Sequence, residues 1–299
     1  MHDLGNCKNS VGLKPNAEWK KDAKAPSELL WFPRRSVGTR PTNKEKLMKI
    51  AISGKGGVGK TTFAAMLART LNSMGKNVLA IDADPDANFA AALGIPDSES
   101  ITPISRMKSL IHERTEAKPG TIGGFFKMNP TVDDLPDALS VTFENIKFMR
   151  LGGIQKGGGG CICPESTLLK ALVTHIVIGR DEIVIMDMEA GIEHLGRATA
   201  SSVDHLIVVV EPGKRSIETL HNICQLANDI GLKKISVMAN KVRNAREESY
   251  ILEQITDIPF LGCLPYESIF IESDLAGQSP YDNDTRAKNI LVNIVNKLL

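Results

Sequence analysis

From residue 48 onward, short apolar runs alternate with longer stretches in which apolar residues recur every three or four positions. The runs at 49–53, 77–82, 145–151, 182–187, 205–210, 234–240 and 259–264 have strand length, and most carry Val or Ile, which predicts strands. Helical periodicity at 61–73, 104–116, 165–178 and 217–230 fills gaps between them. This alternation predicts an α/β fold: a doubly wound, mostly parallel sheet flanked by crossover helices, about 250 residues in all. Ligands in such a sheet sit beyond the carboxyl ends of the strands. The stretch 96–144 is least legible, with Pro, Gly and mixed charge around the 104–116 helix. At 287–299, Ile290, Leu291, Ile294, Val295 and Leu298 form one apolar face. With only Lys288 and Lys297 beside it, this predicts a closing helix packed on the sheet and no stable membrane anchor.

Composition changes the picture at one place. The 299 residues, 42% hydrophobic and 24% charged, exclude a disordered or fibrous chain. Without a long apolar run or a signal-like N-terminus, a cytoplasmic location is expected. Residues 1–47 hold 10 Lys and Arg against 5 Asp and Glu, both tryptophans, and no sustained period. They read as a poorly structured basic extension ahead of a domain at 48–299. Its cations are scattered among Pro, Asn and Ser, which favours a solvated segment over a nucleic-acid surface.

The chemistry begins directly after the first strand. Gly54-Lys55-Gly56-Gly57-Val58-Gly59-Lys60-Thr61-Thr62 satisfies G-x-x-x-x-G-K-[ST] between a predicted strand and a predicted helix. Glycines let the backbone N–H groups turn inward on phosphates, and the helix presents its positive end. Lys60 reaches the β and γ phosphates of ATP, and the Thr61 hydroxyl serves Mg²⁺. The apolar run at 182–186 delivers Asp187, an acid suited to the Mg²⁺ site, ahead of a switch at 188–193.

Five cysteines are too few, and odd in number, for a disulfide framework. Cys161 and Cys163 form a C-x-C on a Gly-rich loop, where free backbone angles let both sulfurs converge on one ion. Two thiolates are half a coordination shell. A two-fold homodimer would supply four, enough for square-planar Ni²⁺ or tetrahedral Zn²⁺, and affinity alone would favour copper. Cys224 and Cys263 lie in apolar settings and read as small core residues.

The extra lysine at Lys55 makes the loop resemble the deviant Walker A ATPases, the class of MinD, ParA and the nitrogenase iron protein. That resemblance implies that Lys55 reaches the nucleotide of a partner subunit in a face-to-face homodimer. It also implies that Asp84, in Asp82-Ala83-Asp84-Pro85-Asp86, orients the attacking water, and that Asn240 meets the adenine edge. With Cys161 and Cys163, the stretch DMEAGIEHLGR at 187–197 and EPGKRS at 211–216, the chain from 48 onward resembles the CooC-type branch. Those ATPases assist nickel insertion into carbon monoxide dehydrogenase, which implies nickel as the ion and that enzyme as the client. Two other readings stay open. An iron-sulfur reductase component would use cysteines spaced more widely than here, and a MinD- or ParA-like positioning ATPase leaves the cysteine pair unexplained.

Overall fold

The computed structural model describes residues 48–86, 88–117, 125–152, 163–179, 182–189 and 203–299. The extension at 1–47, Cys161 and the part of the second switch beyond 189 lie outside the described residues.

Among the described residues, eight strands form one sheet: β1 (Lys49–Gly54), β2 (Val78–Ala83), β3 (Val141–Phe143), β4 (Ile146–Arg150), β5 (Ile183–Met188), β6 (His205–Val210), β7 (Ile235–Val242) and β8 (Phe260–Pro265). Their order is β3-β4-β2-β5-β1-β6-β7-β8, parallel throughout except for β3, which runs antiparallel to β4. The central strands β1, β2 and β5 are buried at every position. Helices cover both faces of the sheet, so these strands read as continuous apolar runs rather than alternating ones.

On one face lie α1 (Lys60–Ser73), α2 (Phe89–Leu93) and a closing helix, Thr285–Leu298. They contribute Phe63, Leu67, Phe89, Leu291, Ile294 and Val295 to a core with Ile50, Ile52 and Phe148. On the other lie α3 (Lys108–Thr115), α4 (Leu135–Leu139), α5 (Pro164–Gly179), α6 (Lys214–Ile230) and α7 (Ala245–Gln254), with Leu168, Leu172, Ile176, Leu220 and Ile251 inward. Two short helices, α8 (Ser268–Leu275) and α9 (Pro280–Asn283), lead into the closing helix, α10. Asp284 caps α10 by accepting the Ala287 N–H at 3.0 Å, and the face predicted to pack inward does so. None of the described helices is long and apolar enough to cross a membrane.

The structure departs from the sequence reading in three places. The helix expected at 104–116 is a 3-10 turn, Ile104–Arg106, followed by α3, because Met107 sits at φ −80°, ψ 69° and breaks the path. Strand β3 is unforeseen. It has three residues, of which only Phe143 is partly buried, and it pairs with β4 through a tight turn in which Glu144 and Asn145 both have positive φ. Asn145 therefore belongs to the turn rather than to the strand expected at 145–151.

Two register facts position the site. Asp82 on β2 lies opposite Asp187 on β5, and Gly54 at the end of β1 lies opposite Val209 on β6.

Candidate nucleotide site

The loop from Gly54 to Thr62 links β1 to α1, the expected strand-to-helix crossing. Close contacts require glycine at two of its positions, and a left-handed φ of +81° favours it at a third, Gly57. A Cβ on Gly54 (φ +147°) would collide with the Val209 carbonyl oxygen, and one on Gly59 (φ +91°) with Asn240 Nδ2. Gly56 and Gly57 are exposed, with open space around them. No side chain caps α1, so its first N–H groups point into the loop unclaimed by a cap. Val58 is fully buried, Lys60 is only 6% exposed, and Thr61 and Thr62 are half-buried.

Three carboxylates gather at the adjoining strand ends. Asp187 is fully buried, and among the described residues neither of its carboxylate oxygens has a hydrogen-bond partner of good geometry. Burial pushes its pKa up to about 7; the Thr61 hydroxyl and Lys60 pull it back in part, while the charges of Asp82 and Asp84 add to the rise. A buried carboxylate with both oxygens unspent, beside a threonine hydroxyl, is a hard-oxygen donor set that fits Mg²⁺.

Asp82, also fully buried, spends both oxygens on backbone: it accepts the N–H groups of Asp84 and Phe89, each at 3.3 Å. Burial raises its pKa to about 6 against those bonds and against Arg150, whose Nε lies 4.0 Å away. Asp82 thus ties the loop after β2 to the start of α2. Asp84 is half-buried just beyond β2 and accepts the Asp86 N–H at 2.9 Å.

Beside the loop, Asn240 on β7 is 7% exposed. Its Nδ2 donates to the Val58 carbonyl at 2.8 Å, and its Oδ1 accepts the Lys241 N–H at 2.9 Å. Lys241 donates to the Gly57 carbonyl at 2.6 Å. Glu211, just past β6, was not among the residues singled out for chemistry. Its Oε1 pairs with Lys55 at 3.2 Å and its Oε2 with Lys241 at 3.6 Å. An acid directly following an apolar strand at the ligand edge was the available signal, the same one that marked Asp187.

Cys163 stands immediately before α5, whose first residue is Pro164. Its thiol donates to the Ser166 hydroxyl at 3.1 Å, and its sulfur accepts the Ser166 N–H at 3.4 Å. Among the described residues no three His, Cys, Asp or Glu side chains cluster as a metal site. Cys224 and Cys263 are half-buried against the core on the α5 side, and burial raises both thiols.

Residues 49–281 match the CobQ/CobB/MinD/ParA nucleotide binding domain. The chain is 46% identical to the carbon monoxide dehydrogenase accessory protein CooC of Rhodospirillum rubrum, over 79% of this chain and 90% of that protein. It is 44% identical to an uncharacterized ATP-binding protein of Methanocaldococcus jannaschii, over 84% and 98%. Among solved structures, MinD with Mg-ADP from Pyrococcus horikoshii aligns at TM-score 0.59 and 22% identity, covering 84% of this chain and 96% of that one. Loop, strand ends and sequence likeness agree: the chain belongs to the CobQ/CobB/MinD/ParA nucleotide-binding family, as an ATPase of the CooC type.

Proposed function

We propose that this ATPase loads a metal ion, nickel by preference, into a carbon monoxide dehydrogenase-type client in the cytoplasm. The ion rides on Cys161 and Cys163 at the axis of a homodimer. The observation that carries this reading is a cysteine at the head of α5 in a chain 46% identical to a carbon monoxide dehydrogenase accessory protein.

In the chemistry we assign, N–H groups of the Gly54–Thr62 loop, including Gly56, Gly57, Val58, Gly59 and Thr62, cradle the phosphates, with Lys60 on the β and γ groups. Thr61 and Asp187 would hold Mg²⁺, which when bound offsets phosphate charge. Asp84 orients a water and takes its proton as the water oxygen bonds the γ-phosphorus. The bond to the β–γ bridging oxygen breaks, leaving ADP and phosphate, and the proton ends on phosphate. Lys55 crosses to the partner's nucleotide and balances charge as the bond breaks. Asn240 takes the adenine edge, its amide exchanging the Val58 carbonyl for the base.

Elemental analysis after anaerobic equilibration with Ni²⁺ or Zn²⁺, with mass measured in solution, tests the cargo site. About one ion per dimer in the wild type and none in a Cys161→Ser/Cys163→Ser variant is expected. Equal binding in both, or binding in neither, would return the chain to a positioning ATPase of the MinD or ParA kind.

A further inference from the structure

We infer that Glu211 is a positioning residue that keeps Lys55 within its own protomer until a triphosphate on a second copy of this chain draws the lysine away. The inference rests on the assignment of Lys55 above and adds the group that opposes its crossing.

Strand β6 lies between β1 and β7, so the residue that follows it emerges between the phosphate loop and Asn240-Lys241. The Glu211 carboxylate fills that gap, one oxygen on Lys55 and the other on Lys241. Its backbone is anchored as well, since its N–H donates to the Oγ of Ser216, a residue only 2% exposed. Lys241, whose side chain is itself 41% exposed, also donates to the Gly57 carbonyl at 2.6 Å, a second bond that tethers its amine. Lys241 is therefore the fixed partner. Lys55, on the open part of the loop, is the exchangeable one.

Exposure sets the strength of the contact. The side chains of Lys55 and Glu211 are 37% and 26% exposed, so the pair is weak and reversible rather than a lock. A γ-phosphate carries more charge than one carboxylate and outbids Glu211 for the lysine, whereas a diphosphate lacks that group. When Lys55 leaves, Glu211 still has Lys241, so release strands no carboxylate. Closure of the homodimer then exchanges one internal ion pair per protomer for one between protomers, which ties association to the γ-phosphate.

Sedimentation equilibrium of the full chain with Mg²⁺ and a non-hydrolysable ATP analogue tests this on four proteins: wild type, Glu211→Gln, Lys55→Ala and the double variant. Because two protomers each give up a pair, Glu211→Gln is expected to tighten the dimer between about 2- and 30-fold. It should do nothing once Lys55 is alanine, a non-additivity that a general structural role would not produce. A looser or unchanged dimer with Glu211→Gln, or the same effect in both backgrounds, overturns the inference and leaves Glu211 a brace for Lys241. A dimer indifferent to Lys55→Ala would instead remove the crossing assignment, and the inference with it.

Discussion

Helix α1 buries a cation toward each end, and the surroundings of the two differ. Toward its carboxyl end, Arg69 donates to the Leu93 carbonyl at 2.8 Å and pairs with Asp282 at 2.7 Å and Glu144 at 3.2 Å. The rings of Phe143 and Tyr281 lie 5.4 and 5.3 Å from its guanidinium carbon. At the amino end, Lys60 lies near a carboxylate with both oxygens unspent, on a helix with no side-chain cap. A fold able to satisfy Arg69 this fully leaves buried groups unpaired where something else completes them. The amino end of α1 is built for a ligand, and the carboxyl end for the fold.

The largest effect should separate the two ends by kind. Lys60→Ala is expected to slow phosphate release at least about 100-fold with little change in the denaturant midpoint.

Next comes Asp187. Its folded pKa of about 7 stands above the unfolded value of 3.8, so between those pH values the folded chain holds a proton that the unfolded chain has released. Without nucleotide or Mg²⁺, stability should therefore fall as pH rises from 4 to 7 and level off above, by on the order of 3 kcal/mol. Asp82, raised to about 6, acts in the same sense over a narrower window. Asp187→Asn should flatten this slope and raise the melting temperature at pH 8 while removing Mg²⁺-dependent hydrolysis. A wild-type melting curve that improves toward pH 8 would contradict the burial cost.

Arg69→Ala should do the reverse of Lys60→Ala. It strands the Leu93 carbonyl and empties the space between two rings, so a loss of about 2 kcal/mol in urea unfolding is expected, with kcat of the folded fraction within about twofold.

The smallest contrast is between two glycines flanking α1. Gly75→Ala meets open space and only the strain of φ +78°, about 1 kcal/mol. Gly59→Ala adds a clash with Asn240 to a similar strain, so it should destabilise more and also weaken nucleotide binding in a titration.

Much of this was legible before any tertiary structure. The phosphate loop can be read because its chemistry needs one contiguous turn between a strand and a helix. Asp187 can be read because an acid ending an apolar run stands out. Other features are silent for physical reasons. Val141–Phe143 is only three residues with none fully buried, too short for its apolar-polar-apolar order to stand out as a strand. Asp82, Asp84 and Asp86 look alike in sequence. Only the structure shows Asp82 spending its oxygens on the Asp84 and Phe89 N–H groups, with Asp84 half-buried beyond the strand end. Lys55 and Glu211 are 156 residues apart, and no local pattern joins them.

Sequence alone determined the parallel α/β class, the phosphate loop, the acid at the end of β5 and the packing face of the last helix. Each is a local pattern whose period or spacing is itself the physical requirement. Strand order and register were decided only in three dimensions. They set Asp82 beside Asp187, brought Asn240 against Gly59, and placed Glu211 between Lys55 and Lys241. Burial and charge pairing depend on which strands become neighbours, and that is set by packing across the whole sheet rather than by any one segment.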